Sequence, residues 1–183
     1  MTRSQLEQAF ATYFSEMDKC KTSGCHLALL HIVVVLPNIC AALESQNGEA
    51  DGNAYKRWCG EHLPSDVLSP DERWEMRCAL VHEGKTLPDS RARYRYASYS
   101  FMPPGGGEIH QVVSTDGERN LTLEVERMAE EIKKEISSWF DALLQPGNVV
   151  LAKVGNNLPK LIKSQPKTIP GSGPLPPTIS STG

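Results

Sequence analysis

Leu6, Phe10, Tyr13, Phe14 and Met17 recur at spacings of three and four residues, which lays them on one face of a helix. Thr2 with Gln5 fits a capping box at its start, and Ser23-Gly24 closes it. From about His26 to Glu44 the chain is apolar nearly all round, the pattern of a helix at the centre of a bundle. Pro37 inside it predicts a kink or a split. Asn47-Gly48 and Asp51-Gly52 mark a connection. A short helix follows from about Asn53 to His62, with Tyr55, Trp58 and Cys59 as its buried side. Ser69-Pro70-Asp71-Glu72 then combines an N-cap, a proline at the first helical position and the returning partner of a second capping box. Its two acids suit the helix dipole. This helix is expected to run to about His82 or Glu83, with Gly84 just past its end.

Arg91 to Met102 alternates and is rich in Tyr and Phe, which is strand chemistry. Pro103-Pro104-Gly105-Gly106-Gly107 predicts a turn, Glu108 to Ser114 a returning strand, and Asp116-Gly117 another turn. The last strong element spans about Thr122 to Gln145, where Val125, Met128, Ile132, Ile136, Trp139, Phe140 and Leu143 form one apolar stripe. Pro146-Gly147 stops it. The expected fold is mainly α: a helical bundle of four to five helices with a β-hairpin inserted at about residues 91–115.

The 183 residues, 39% hydrophobic and 22% charged, suit one globular domain with its own core. That domain is assigned to residues 1–147. Residues 148–183 read as a basic, Pro/Gly/Ser-rich flexible tail. Charge is uneven: residues 142–183 carry four lysines and no carboxylate, so residues 1–141 are acidic within a net charge of -3. A strongly cationic nucleic-acid coat is excluded, and a local basic patch is not. The start of the chain has no apolar signal-like stretch. The apolar run Leu27–Leu36 is about half of the roughly 20 residues a bilayer span requires. Five cysteines, odd in number and without a C-x-x-C pair, read as reduced thiols of a cytoplasmic protein. Cys20-x4-Cys25-His26 and Cys59-x2-His62 match no standard zinc spacing. Neither a metal nor a cofactor is expected, and no membrane association.

The segment with chemical content is Trp74-Glu75-Met76-Arg77-Cys78-Ala79-Leu80-Val81-His82-Glu83-Gly84. On a regular helix, five steps of 100° set Arg77 and His82 about 140° apart. A terminus unwound at Gly84 would let the imidazole swing back toward the arginine. Two readings stand at this level. In one, Arg77 makes a surface ion pair and His82 is a cation suited to a helix C-terminus. In the other, the guanidinium fork grips phosphate oxygens and the imidazole moves a proton near neutral pH. On RNA, deprotonating the ribose 2′-hydroxyl makes it the nucleophile on the adjacent phosphorus, a step that needs no metal.

Arg77-Cys78-Ala79-Leu80-Val81-His82 resembles the R-x4–6-H signature of the HEPN superfamily, the "higher eukaryotes and prokaryotes nucleotide-binding" domain. The apolar helix from His26, Tyr55-x2-Trp58 ahead of the motif and Trp139 in a closing amphipathic helix also resemble uncharacterised bacterial HEPN-like proteins. The resemblance covers about residues 5–145. It implies an all-α bundle that forms homodimers with the two motifs facing across a two-fold axis. It also implies a metal-independent endoribonuclease of a toxin–antitoxin, phage-defence or RNA-processing system, with RNA as substrate and, in the toxin case, an antitoxin partner. By position Arg77 would stabilise the scissile phosphate and His82 would act as general base or acid. Active members often carry a polar residue after the arginine, where this chain has Cys78. The alternative is therefore a catalytically inactive HEPN-like module that dimerises or binds a nucleotide or partner.

A second feature concerns a phosphate ligand. Arg91, Arg93 and Arg95 alternate, so on a strand they share one face, and Lys85 lies nearby in sequence. Folded over the motif, they would track an RNA backbone. The competing reading is an ordinary charged outer strand face, with the neighbouring tyrosines packed on the bundle.

Overall fold

The computed structural model describes residues 1–85, 98–102, 111–115 and 118–161. The described chain is mainly helical. Helix α1 (Arg3–Thr22) begins with the expected capping box between Thr2 and Gln5. Helix α2 (His26–Glu44) continues through Pro37 without being split. Pro37 has no N–H for the carbonyl of Val33. One residue on, the buried Tyr55 hydroxyl donates to the Val34 carbonyl at 3.3 Å. By length and composition α2 could cross a bilayer, with a mean hydropathy of 2.1 in its most apolar window. Nine of its nineteen residues are nevertheless buried, because α2 packs against α1, α3 (Gly52–His62) and α5 (Val125–Leu143).

Aromatic rings fill the space between these helices. Trp139 of α5 meets Phe10 of α1 and Trp58 of α3 edge-on, with ring centroids 6.1 Å apart in each case. Its indole N–H donates to Glu44 at the end of α2 at 2.7 Å. Cys40 and Cys59 are buried in the same core. Burial pushes both thiols up, Cys59 to about 12, so they stay protonated and pack as small hydrophobes.

Three features depart from the sequence expectation. First, the strands β1 (Ser98–Met102) and β2 (Gln111–Thr115) do not pair as one hairpin. Strand β3 (Glu118–Glu124) lies between them, parallel to β1 and antiparallel to β2. The hairpin expected at about 91–115 is thus replaced by a β2–β3 pair with β1 added on the far side of β3. Its turn residues 103–107 and 116–117 lie outside the described residues. Second, α5 starts at Val125 rather than at Thr122. Leu121 and Leu123 are both fully buried with Thr122 between them, so burial alternates with period two and the segment is a strand. Third, the ordered domain extends past residue 147. Helix α6 (Leu151–Asn157) and a 3-10 turn, Leu158–Lys160, follow. Val154 is fully buried, and the buried Asn157 amide donates to the carbonyls of Leu43 and Ser45 at 3.1 and 3.0 Å. Those are carbonyls that the end of α2 cannot satisfy internally, so α6 docks by capping α2. Residues 162–183 of the assigned tail lie outside the described residues.

Candidate functional site

Helix α4 (Pro70–Cys78) starts at the expected cap: Ser69 N–H and Oγ both donate to the Glu72 carboxylate at 2.8 Å. Its far end differs from a regular helix. Residues Ala79–Glu83 form a π-helical turn, closed by Gly84 at φ +63°. Lys85 N–H reaches back to the Ala79 carbonyl at 3.0 Å and Gly84 N–H to Leu80 at 3.2 Å. A π turn is closed by i to i+5 bonds and is wider than an α turn, so it reduces the angle between residues on either side of it. Arg77 and His82 are five apart.

The consequence is a direct contact. Arg77 Nη1 lies 2.7 Å from His82 Nε2. A guanidinium has only donors, so in this contact Nε2 is the acceptor. A protonated ring could not accept this bond. His82 is exposed and Arg77 half-buried, so the pair opens to solvent as a polymer substrate would require.

Arg77 is held from behind. Its Cζ lies 5.3 Å from the centre of a Trp74 ring, a cation–π arrangement. Trp74 in turn lies 5.2 Å from Tyr55. On its other side is Gly52, the first residue of α3: a Cβ built there would stand 2.9 Å from the Trp74 ring atoms Cε2 and Cζ2. Arg77 Nε is buried and has no hydrogen-bond partner among the described residues. Arg73, one turn earlier, bonds the carbonyls of Leu68 and Pro64 at 3.3 and 2.9 Å and so fixes the loop that leads into α4.

The other residues singled out in sequence fall differently. Lys85 is exposed and its Nζ lies 2.7 Å from Glu83, which draws its charge onto that carboxylate. Arg91, Arg93 and Arg95 lie outside the described residues. Cys78 is half-buried. Trp74 and Gly52 were not singled out as parts of the site. Trp74 was legible from its i, i+3 spacing to Arg77. Gly52 carried no signal beyond a turn. Among the described residues no three His, Cys, Asp or Glu side chains converge to hold a metal ion.

Gly52→Ala tests the stack behind Arg77. Helix propensity alone would make alanine more stable by up to about 1 kcal/mol. The contact with the Trp74 ring outweighs this, and a net loss of about 1–3 kcal/mol is expected from the overpacking. It should be read as a lowered urea midpoint with unchanged slope.

No family model, no curated protein and no solved structure matches this chain.

Proposed function

We propose that this chain is a HEPN-like, metal-independent endoribonuclease acting through Arg77 and His82. The observation that carries the reading is the 2.7 Å contact between Arg77 Nη1 and His82 Nε2, made by the π turn at the end of α4. As RNA binds, the guanidinium turns its fork to the scissile phosphate. That frees the Nε2 lone pair. His82 then takes the 2′-hydroxyl proton, the 2′-oxygen attacks the adjacent phosphorus, and the 5′-oxygen leaves and is protonated. Arg77 stabilises the charge that grows on the phosphoryl oxygens. The products are a 2′,3′-cyclic phosphate and a 5′-hydroxyl.

In-line displacement puts the base and the acid on opposite sides of the phosphorus, so one imidazole cannot serve both at the same moment. A homodimer supplies the second. The cytoplasm, with its pool of RNA targets, is the proposed compartment. A toxin or phage-defence role would come with an antitoxin partner. The second reading, a catalytically silent binding module, is favoured by Cys78 after the arginine and by the mutual satisfaction of Arg77 and His82.

The test is incubation of the dimer with a mixed RNA pool in EDTA. Wild type should release fragments ending in 2′,3′-cyclic phosphate, with Arg77→Ala and His82→Ala at least about 100-fold slower. Intact RNA with wild-type dimer selects the silent module.

A further inference from the structure

The junction of α1 and α2 brings two cysteines together. Gly24 N–H donates to the Lys21 carbonyl at 3.2 Å, and Cys25 N–H donates to the Cys20 carbonyl at 2.8 Å. Gly24 has φ +67°. These nested bonds form a Schellman motif, in which the residues that exchange the outer bond frequently meet through their side chains as well. Here those residues are Cys20 and Cys25. Covalent geometry bounds their separation. A Cα lies about 2.4 Å from its own carbonyl oxygen and about 1.5 Å from its own nitrogen. With the 2.8 Å bond between them, the two Cα atoms can be no more than about 6.7 Å apart. Disulfides span Cα separations up to about 6.8 Å.

The two thiols share one surface hollow, with Gly24, His26, Leu27 and His31 on its wall. Cys25 is exposed and Cys20 half-buried. Burial, then the charges of a Cys25 thiolate and of Glu16, push the Cys20 thiol up. Neither cysteine takes any part in the nuclease reading, and the inference does not depend on it.

We propose that Cys20 and Cys25 form a redox-active dithiol that reacts with small-molecule disulfides of the glutathione type, Cys25 attacking and Cys20 resolving. The exposed Cys25 thiolate attacks one sulfur of the small disulfide. A Cys25 mixed disulfide forms and one small thiolate leaves. The Cys20 thiolate then attacks the Cys25 sulfur, closing the Cys20–Cys25 bond and expelling the second thiolate. The protein loses two electrons and the small disulfide gains them, while the two cysteine protons pass to the departing thiolates. The bridge ties the last turn of α1 to the first residue before α2, and excess small thiol reverses it.

The test uses the full native chain carrying Cys78→Ser, treated with glutathione disulfide and checked by circular dichroism to remain folded. The expected intact mass is that of the protein less two hydrogens. Trypsin cuts after Lys21, between the two cysteines, so an unreduced digest should hold the Cys20 and Cys25 peptides in one species. Adding Cys20→Ser should stop the reaction at a glutathione adduct on Cys25. Adding Cys25→Ser should leave both positions unmodified over the same time. A folded protein with both cysteines that accumulates only the adduct overturns the proposal. So does a bridge that forms only after unfolding in denaturant.

Discussion

Trp139→Ala is expected to destabilise the fold by about 3–5 kcal/mol, the range for deleting a large aromatic from a packed core. Trp139 is 1% exposed and sits where α1, α3 and α5 meet. Its ring faces Phe10, Trp58 and Phe140 at centroid distances of 6.1, 6.1 and 5.6 Å. Removal leaves a hole bordered by other rings that are themselves locked, so the site cannot collapse cheaply. It also strips Glu44 of its 2.7 Å indole donor. Trp139→Phe separates the two effects. It keeps most of the packing and should cost about 1–3 kcal/mol, from the carboxylate oxygen left unpaired and the smaller ring. Urea titrations of the two variants beside wild type read both numbers, provided the slopes agree. A loss for the alanine variant no greater than for the phenylalanine one would mean that the indole ring is not the keystone of these three helices.

The helices were legible because their signals are local. Leu6, Phe10 and Met17 are all buried on one side of α1, as spacing predicts. Both capping boxes need only four residues of sequence and both form. The sheet order was not legible, because a parallel β1–β3 pair depends on how a distant segment returns, and no turn signal encodes it. The start of α5 was misplaced because Leu121 and Leu123 continue into Val125, and a period of two merges into the helical stripe that follows. The α6 helix was hidden by composition. Leu151, Val154 and Leu158 have helical spacing, but averaging over the Pro- and Gly-rich residues around them drowned it. The candidate site shows the same division. The residue types of Arg77 and His82 suggest phosphate chemistry, whereas their angular separation on a regular helix argues against it. The widened turn lessens that separation enough for the two side chains to meet, and periodicity does not encode a π turn.

Arg77→Lys is expected to slow cleavage of the RNA pool by about 10²–10³-fold, the scale seen when one group that stabilises transition-state charge is lost. The charge is retained, so the loss must come from geometry. Arg77 meets His82 at 2.7 Å through Nη1 while its Cζ lies over a Trp74 ring, 5.3 Å from the centroid. A planar fork can keep that seat and still offer further N–H groups to phosphate oxygens. An ammonium is a single point of charge on a flexible stem. It can approach the phosphate or the imidazole, but has no second face of donors to offer while it does so. Fold stability should change by about 1–2 kcal/mol at most, since the half-buried Arg77 gives up its cation–π contact and its bond to His82. Measuring cleavage rate and urea midpoint on the same preparation keeps catalysis apart from folding. His82→Gln, which keeps an acceptor for Arg77 but cannot carry a proton at neutral pH, should be as inactive as His82→Ala. If the lysine variant cuts as fast as wild type, a point charge is enough and the fork arranged by Trp74 has no part in the reaction. If the glutamine variant cuts, the imidazole is an anchor for the arginine and the base must be sought elsewhere.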